Sequence, residues 1–103
     1  MDFWDKNKRN VYIKLQEMMR RAQSDPSLIE TARIYVQENM LSEESHQRKY
    51  GEMWMEILDL PVEQIAQRLL ADTPEGDLLR DTAPVFGKGL TSREFMKLLN
   101  DNA

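Results

Sequence analysis

The chain has 103 residues, no cysteine and a net charge of -4, a length suited to one domain that buries roughly 65% of the surface its unfolded form exposes. Lack of cysteine excludes disulfides, thiol nucleophiles and thiolate metal sites and fits a reducing compartment. No apolar run approaches membrane length and the opening MDFWDKNKRN lacks a signal peptide's apolar core, so a cytoplasmic protein with no membrane partner is expected. The acidic balance also weighs against a dedicated nucleic-acid binder.

A first helix is expected from near residue 3 to 23. Trp4, Val11, Leu15, Met18 and Ala22 share one side of the wheel, with Tyr12 and Met19 beside them. Lys8 interrupts the stripe, either fraying the first turn or laying its aliphatic stem over the core edge. Ile13 falls on the opposite face near Arg9 and Arg20, where an exposed apolar residue is ordinary or serves a contact patch. Residues 1–22 hold six basic and three acidic side chains, a net +3 that leaves -7 for the remainder. A solvated face is the favoured explanation. The sharper one is a basic helix meeting an acidic partner, either nucleic-acid phosphates contacted by Lys6, Arg9, Lys14, Arg20 and Arg21 or a second copy of the chain.

Ser24-Asp25-Pro26 stops this helix and starts a second, with Asp25 as N-cap and Pro26 at the first helical position. Leu28, Ile29, Ala32, Val36 and Met40 form its stripe, and it ends near Leu41. Ser42 is then expected to cap a third helix, with Glu43 and Glu44 at its positive end.

Residues 50–70, YGEMWMEILDLPVEQIAQRLL, carry two apolar stripes and are expected to be the part around which the rest packs. Tyr50, Met53, Trp54, Ile57 and Leu58 make one; Val62, Ile65, Ala66, Leu69 and Leu70 make the other. In one straight helix the stripes would point roughly 120° apart, so a third and a fourth helix are expected to meet at a break at Pro61. Gly51, inside the third helix, suggests close backbone packing or simple tolerance.

Asp72-Thr73-Pro74-Glu75 repeats the cap-and-proline pattern, giving a short helix over 74–81 that buries Leu78 and Leu79. The loop from Thr82 to Gly89 uses Phe86 as an anchor. Thr91 and Glu94 then form a capping box for the last helix, Leu90 can staple to Phe95, and Phe95, Leu98 and Leu99 face inward. Residues 100–103 should fray.

Little chemistry is encoded. His46 is the only histidine, and Glu43 with His46 makes a single E-x-x-H where a di-iron bundle needs two and further glutamates. No nucleophile elbow exists. Gly87-Lys88-Gly89-Leu90-Thr91 lacks the spacing and strand of a phosphate-binding Walker loop. Leu90-Thr91-Ser92-Arg93-Glu94 resembles the opening of a LuxR-type helix-turn-helix, but the chain ends before a recognition helix could follow, so the match reduces to the capping box. The methionines are expected to fill the core, with Met55 off the stripe and exposed.

Trp54, Ile57 and Leu58, then Glu75, Gly76, Leu79, Arg80 and Pro84, then Leu90, Thr91, Arg93 and Glu94, form a pattern that resembles small bacterial all-helical proteins. The resemblance implies a compact bacterial helical domain and carries no activity with it.

The resulting expectation is one all-α domain over 1–103, a compact orthogonal bundle of five or six helices without a sheet. It is read as a non-catalytic protein-interaction module, with homodimerisation as one mode and nucleic-acid binding by the first helix as the alternative. No cofactor or metal is expected. Candidate partner contacts are Arg9, Ile13, Arg20, Met55, Arg80 and Lys88, with the 82–89 loop as a binding edge.

Overall fold

Apolar residues recurring every three or four positions produce six α-helices and no strand among residues 5–101, which the computed structural model describes. They are α1 (Lys6–Ala22), α2 (Ser27–Asn39), α3 (Arg48–Leu58), α4 (Val62–Leu69), α5 (Pro74–Asp81) and α6 (Ser92–Asp101). The radius of gyration is 13.5 Å, close to the ~13 Å of a single packed domain this long. Trp4, placed on the first stripe above, lies outside the described residues, as do the last two residues of the tail expected to fray. Asn100 and Asp101 continue α6.

The local start signals act as their chemistry requires. Asp5 accepts from the Asn7 amide at 2.8 Å to open α1. Asp25 accepts from the Ser27 amide at 3.1 Å, but α2 begins one residue later than expected, at Ser27, so that Pro26 (φ -64°) rather than Asp25 occupies the N-cap position. Thr73 accepts from the Gly76 amide at 2.9 Å ahead of Pro74. The box before α6 is reciprocal: the Glu94 amide donates to Thr91 Oγ1 at 3.1 Å, and the Thr91 amide donates to Glu94 Oε1 at 3.4 Å.

The third helix departs from expectation. It begins at Arg48 rather than after Ser42, and its start has no side-chain cap. Residues 42–47 instead form turns, held by the Ser45 amide on the Ser42 carbonyl and the Gln47 amide on Ser45 Oγ. A connection of this length lets α3 fold back on α2. There Gly51 allows the close approach: a Cβ at this position would lie 2.8 Å from Leu41 Cδ2 and 3.0 Å from Met40 Cβ. At the next junction, Pro61 is extended (φ -56°, ψ 149°) and precedes the first turn of α4, so the two stripes are separated by a real break.

The core is built from Leu15, Met18, Met19, Ala32, Val36, Met40, Trp54, Ile57, Leu58, Ile65, Leu69, Leu79 and Phe86. Trp54 is fully enclosed, donates Nε1–H to Thr82 Oγ1 at 3.0 Å and meets the Phe86 ring edge-on at 6.3 Å. The Thr82 hydroxyl in turn donates a hydrogen bond to the Leu78 carbonyl at 2.8 Å, so the buried indole N–H ends in a satisfied chain. Phe86 is thus the expected anchor of the 82–89 loop.

The hub, however, is α1. It packs against α2, α4, α5 and α6, whereas α3 leans mainly on α2. The 50–70 stretch supplies large core side chains, and α1 is the helix they and their neighbours gather round. Two apolar positions turn out differently from their stripes. Val11 is 38% exposed, because the cover over that end of α1 lies on the Tyr12 side, where Tyr12 donates to the Leu70 carbonyl at 3.2 Å. Leu78 is 39% exposed because α5 buries Gly76, Leu79 and Arg80 instead.

Arg80 explains that choice. The C-terminal carbonyls of α4 point into the protein, and Arg80 Nη1 donates to those of Leu69 at 2.9 Å and Ala71 at 2.8 Å. Its Nη2 donates to Asp77 Oδ1 at 2.6 Å, and the guanidinium lies over the Tyr12 ring, 5.5 Å from its centroid. Gly76 makes room, since a Cβ there would fall 2.1 Å from the Ala71 oxygen.

Two outcomes are expected. Arg80→Met should lower unfolding free energy by about 3 kcal/mol in urea titration, because two inward carbonyls lose their donor. Gly76→Ala, which in an exposed helix interior would gain up to ~1 kcal/mol, should here destabilise.

Candidate functional site

Of the six sequence-derived contact residues, the structure brings together two, Ile13 and Arg20. They line an open groove of about 430 Å³ between α1, α4 and α6, with Met19 and Gln16 from α1, Ala66 and Leu70 from α4, and Leu98 from α6. Ile13 is only 5% exposed, contrary to the expectation of an outward apolar residue. It does point away from the stripe formed by Leu15, Met18 and Ala22. That face of α1 is flanked by α4 on one side and α6 on the other, so Ile13 becomes the floor of the groove.

The remaining candidates lie elsewhere. Arg9 is partly buried and engaged in a contact. Met55 is half-buried against the core rather than exposed, since an off-stripe position on α3 is still within reach of its neighbours. Arg80 is 7% exposed and is spent on the end of α4. Lys88 is exposed, between Gly87 (φ +64°) and Gly89 (φ +72°), two conformations that favour glycine.

Beside the apolar groove lies a charged cleft of about 350 Å³, lined by Glu17, Arg20, Arg21, Leu90, Glu94, Lys97, Leu98 and Asp101. Its charges form a chain. Arg20 Nε donates to Glu17 Oε2 at 2.9 Å, Arg21 Nε donates to Glu17 Oε1 at 3.1 Å, and Arg21 Nη2 crosses to Glu94 Oε2 at 2.7 Å. Arg20 and Arg21 hold the Glu17 carboxyl below the usual carboxylate range. Arg21, aided by Thr91, does the same for Glu94. Lys14 Nζ lies 4.4 Å from the centroid of the Phe95 ring. Half of the basic residues in the first 22 positions are therefore engaged with Glu17, Glu94 or an aromatic face.

Sequence reading missed Glu17, Glu94 and Leu98 as parts of one surface. The available signal was α6 itself, a short amphipathic helix with a self-contained cap, which needs an apolar seat when every other stripe is already used. That seat lies on α1, where Lys14 meets Phe95 and Arg21 meets Glu94, beside the groove floored by Ile13. On α6 no residue is buried: Phe95, Leu98 and Leu99 are half-buried and Met96 is 57% exposed.

Glu43 and His46 sit exposed in the 42–47 turns and not on a helix. Among the described residues no group of three or more histidine, cysteine, aspartate or glutamate side chains converges on a point that could hold a metal ion. Among them, too, no helix is long and apolar enough to cross a membrane.

The depressed carboxyls of Glu17 and Glu94 set a pH dependence. A group whose folded pKa lies below its unfolded value contributes stability fully above the unfolded value and loses it as pH falls through the folded one. Stability should therefore decline as pH drops below the ordinary carboxylate range, and the decline should be shallower in Glu17→Gln, measured by denaturant titration between neutral and acid pH.

Comparison with protein-family models, with curated proteins and with solved structures gave no match.

Proposed function

We propose that this protein is a non-catalytic helical interaction module that associates with a second copy of itself through the edge formed by α1 and α6. The observation that carries the reading is α6: a fully formed amphipathic helix that buries none of its residues completely and leaves Met96 57% exposed. Next to it, Ile13, Ala66, Leu70 and Leu98 line an apolar groove whose rim carries Glu17 and Arg20. A surface with apolar centre and charged edge is what a protein contact requires, and a twofold pair would cover the same edge on both copies. The cysteine-free sequence is compatible with the cytoplasm, where we place the protein. The alternative, phosphate binding by α1, is less well supported because Arg20 and Arg21 are already paired.

Light scattering over a concentration series, at low and high salt, tests this. The mass should rise above that of one chain and survive salt, and Met96→Lys should return it to a single chain. A mass of one chain under all conditions overturns self-association. Retention on DNA or RNA that falls steeply with salt would instead favour the basic helix.

A further inference from the structure

The ties between α6 and the rest of the chain differ in kind from those of every other helix. Helices α1 to α5 each bury at least two side chains or glycines completely, whereas α6 buries none. Its principal packing partner is α1. Among the described residues, the polar ties between them include Arg21 on Glu94, with both side chains more than a third exposed, and Lys14 over Phe95. Ion pairs in such wet settings contribute little.

The segment just before α6 is held in a graded way. Phe86 is locked into the core beside Trp54. Gly87 is pressed against α2, where a Cβ would meet Leu28 Cδ2 at 2.3 Å. At Gly89, by contrast, a Cβ would have nothing within 4 Å, and its φ is +72°. The Gly89 amide still donates to the Phe86 carbonyl at 3.3 Å and Leu90 packs against the core, so the ties of this segment to the main body end at Leu90. Beyond it, the box that starts α6 is local, Thr91 with Glu94, so it needs nothing from α1.

We propose that residues 91–101 act as a strap that leaves α1 as a unit, pivoting just after Leu90, and widens the groove floored by Ile13 while residues 5–90 remain folded. Ile13, Ala66 and Leu70 line this groove together with Leu98, and departure of α6 removes Leu98 from its wall. The opening belongs to the sub-global class, in which an element with few buried contacts separates at a cost well below that of whole-domain unfolding. Once free, a ten-residue helix is marginal in water, so release and fraying of α6 go together. The strap operates in a single chain and does not depend on self-association.

The native absence of cysteine makes the test clean. Single-cysteine variants of the full chain, Ile13→Cys under the strap and Ala32→Cys in the core, are exposed to a thiol reagent under native conditions. Ile13→Cys should be modified faster than Ala32→Cys by on the order of tenfold or more. Adding Glu94→Gln should accelerate the first several-fold and leave the second unchanged. As a check independent of cysteine substitution, amides of α6 in the unaltered protein should exchange with deuterium well before those of α4 and α5. Equal modification of the two cysteines, or exchange of α6 in step with α4, would show that Ile13 is uncovered only by global unfolding and would overturn the strap.

Discussion

The carbonyl oxygens at the end of α4 face inward, and the fold depends on giving them donors. An unpaired carbonyl in the interior costs as much as several buried methylenes gain. Arg80 supplies two N–H groups, and Tyr12 supplies a hydroxyl to the carbonyl between them. These bonds fix three helices at once: α5 against the end of α4, and both against α1. Gly76 follows from the same requirement, because the Ala71 oxygen occupies the space where a side chain would start. Arg33 repeats the device on a smaller scale, reaching from α2 to the Leu58 carbonyl at 3.1 Å and Asp59 at 2.8 Å to close the end of α3.

With these ends closed, α1 can serve as a two-sided helix. Its Leu15, Met18 and Ala22 side enters the main core. Its Ile13 side forms a second, thinner layer with α4 and α6. A helix covered on both sides joins elements that otherwise would not meet, and it places the Glu17 network between them. The candidate surface is therefore a product of the second layer, not of the main core.

Features coded by neighbours in sequence were legible. The break at Pro61, the Thr73-Pro74 start of α5, the Thr91/Glu94 box and the anchoring role of Phe86 each rest on residues a few positions apart or on one large side chain, and each is present. What escaped depends on residues far apart in the chain. Arg80 reads as a surface cation until the inward carbonyls of residues 69 and 71 are known. Ile13 reads as exposed until α6, some eighty positions later, is laid beside it. Ser42 looked like a cap because the pattern was local, but the Gly51 contact with Met40 and Leu41 required the chain to turn first. The candidate site was legible only as two isolated residues, Ile13 and Arg20, because its remaining walls come from α4 and α6.

The two arginines that close helix ends have a further consequence, since each gives part of its fork to backbone carbonyls and part to a carboxylate, Asp59 for Arg33 and Asp77 for Arg80. A carbonyl does not titrate, and a guanidinium keeps its proton throughout the range in which proteins work. The carbonyl bonds at Leu58, Leu69 and Ala71 are thus indifferent to acidity, while the ion pair between α6 and α1 runs through the carboxylate of Glu94. Proton concentration therefore bears on the tie between α6 and α1, as it does on the Arg68–Glu75 pair between α4 and α5, and leaves the carbonyl closures alone.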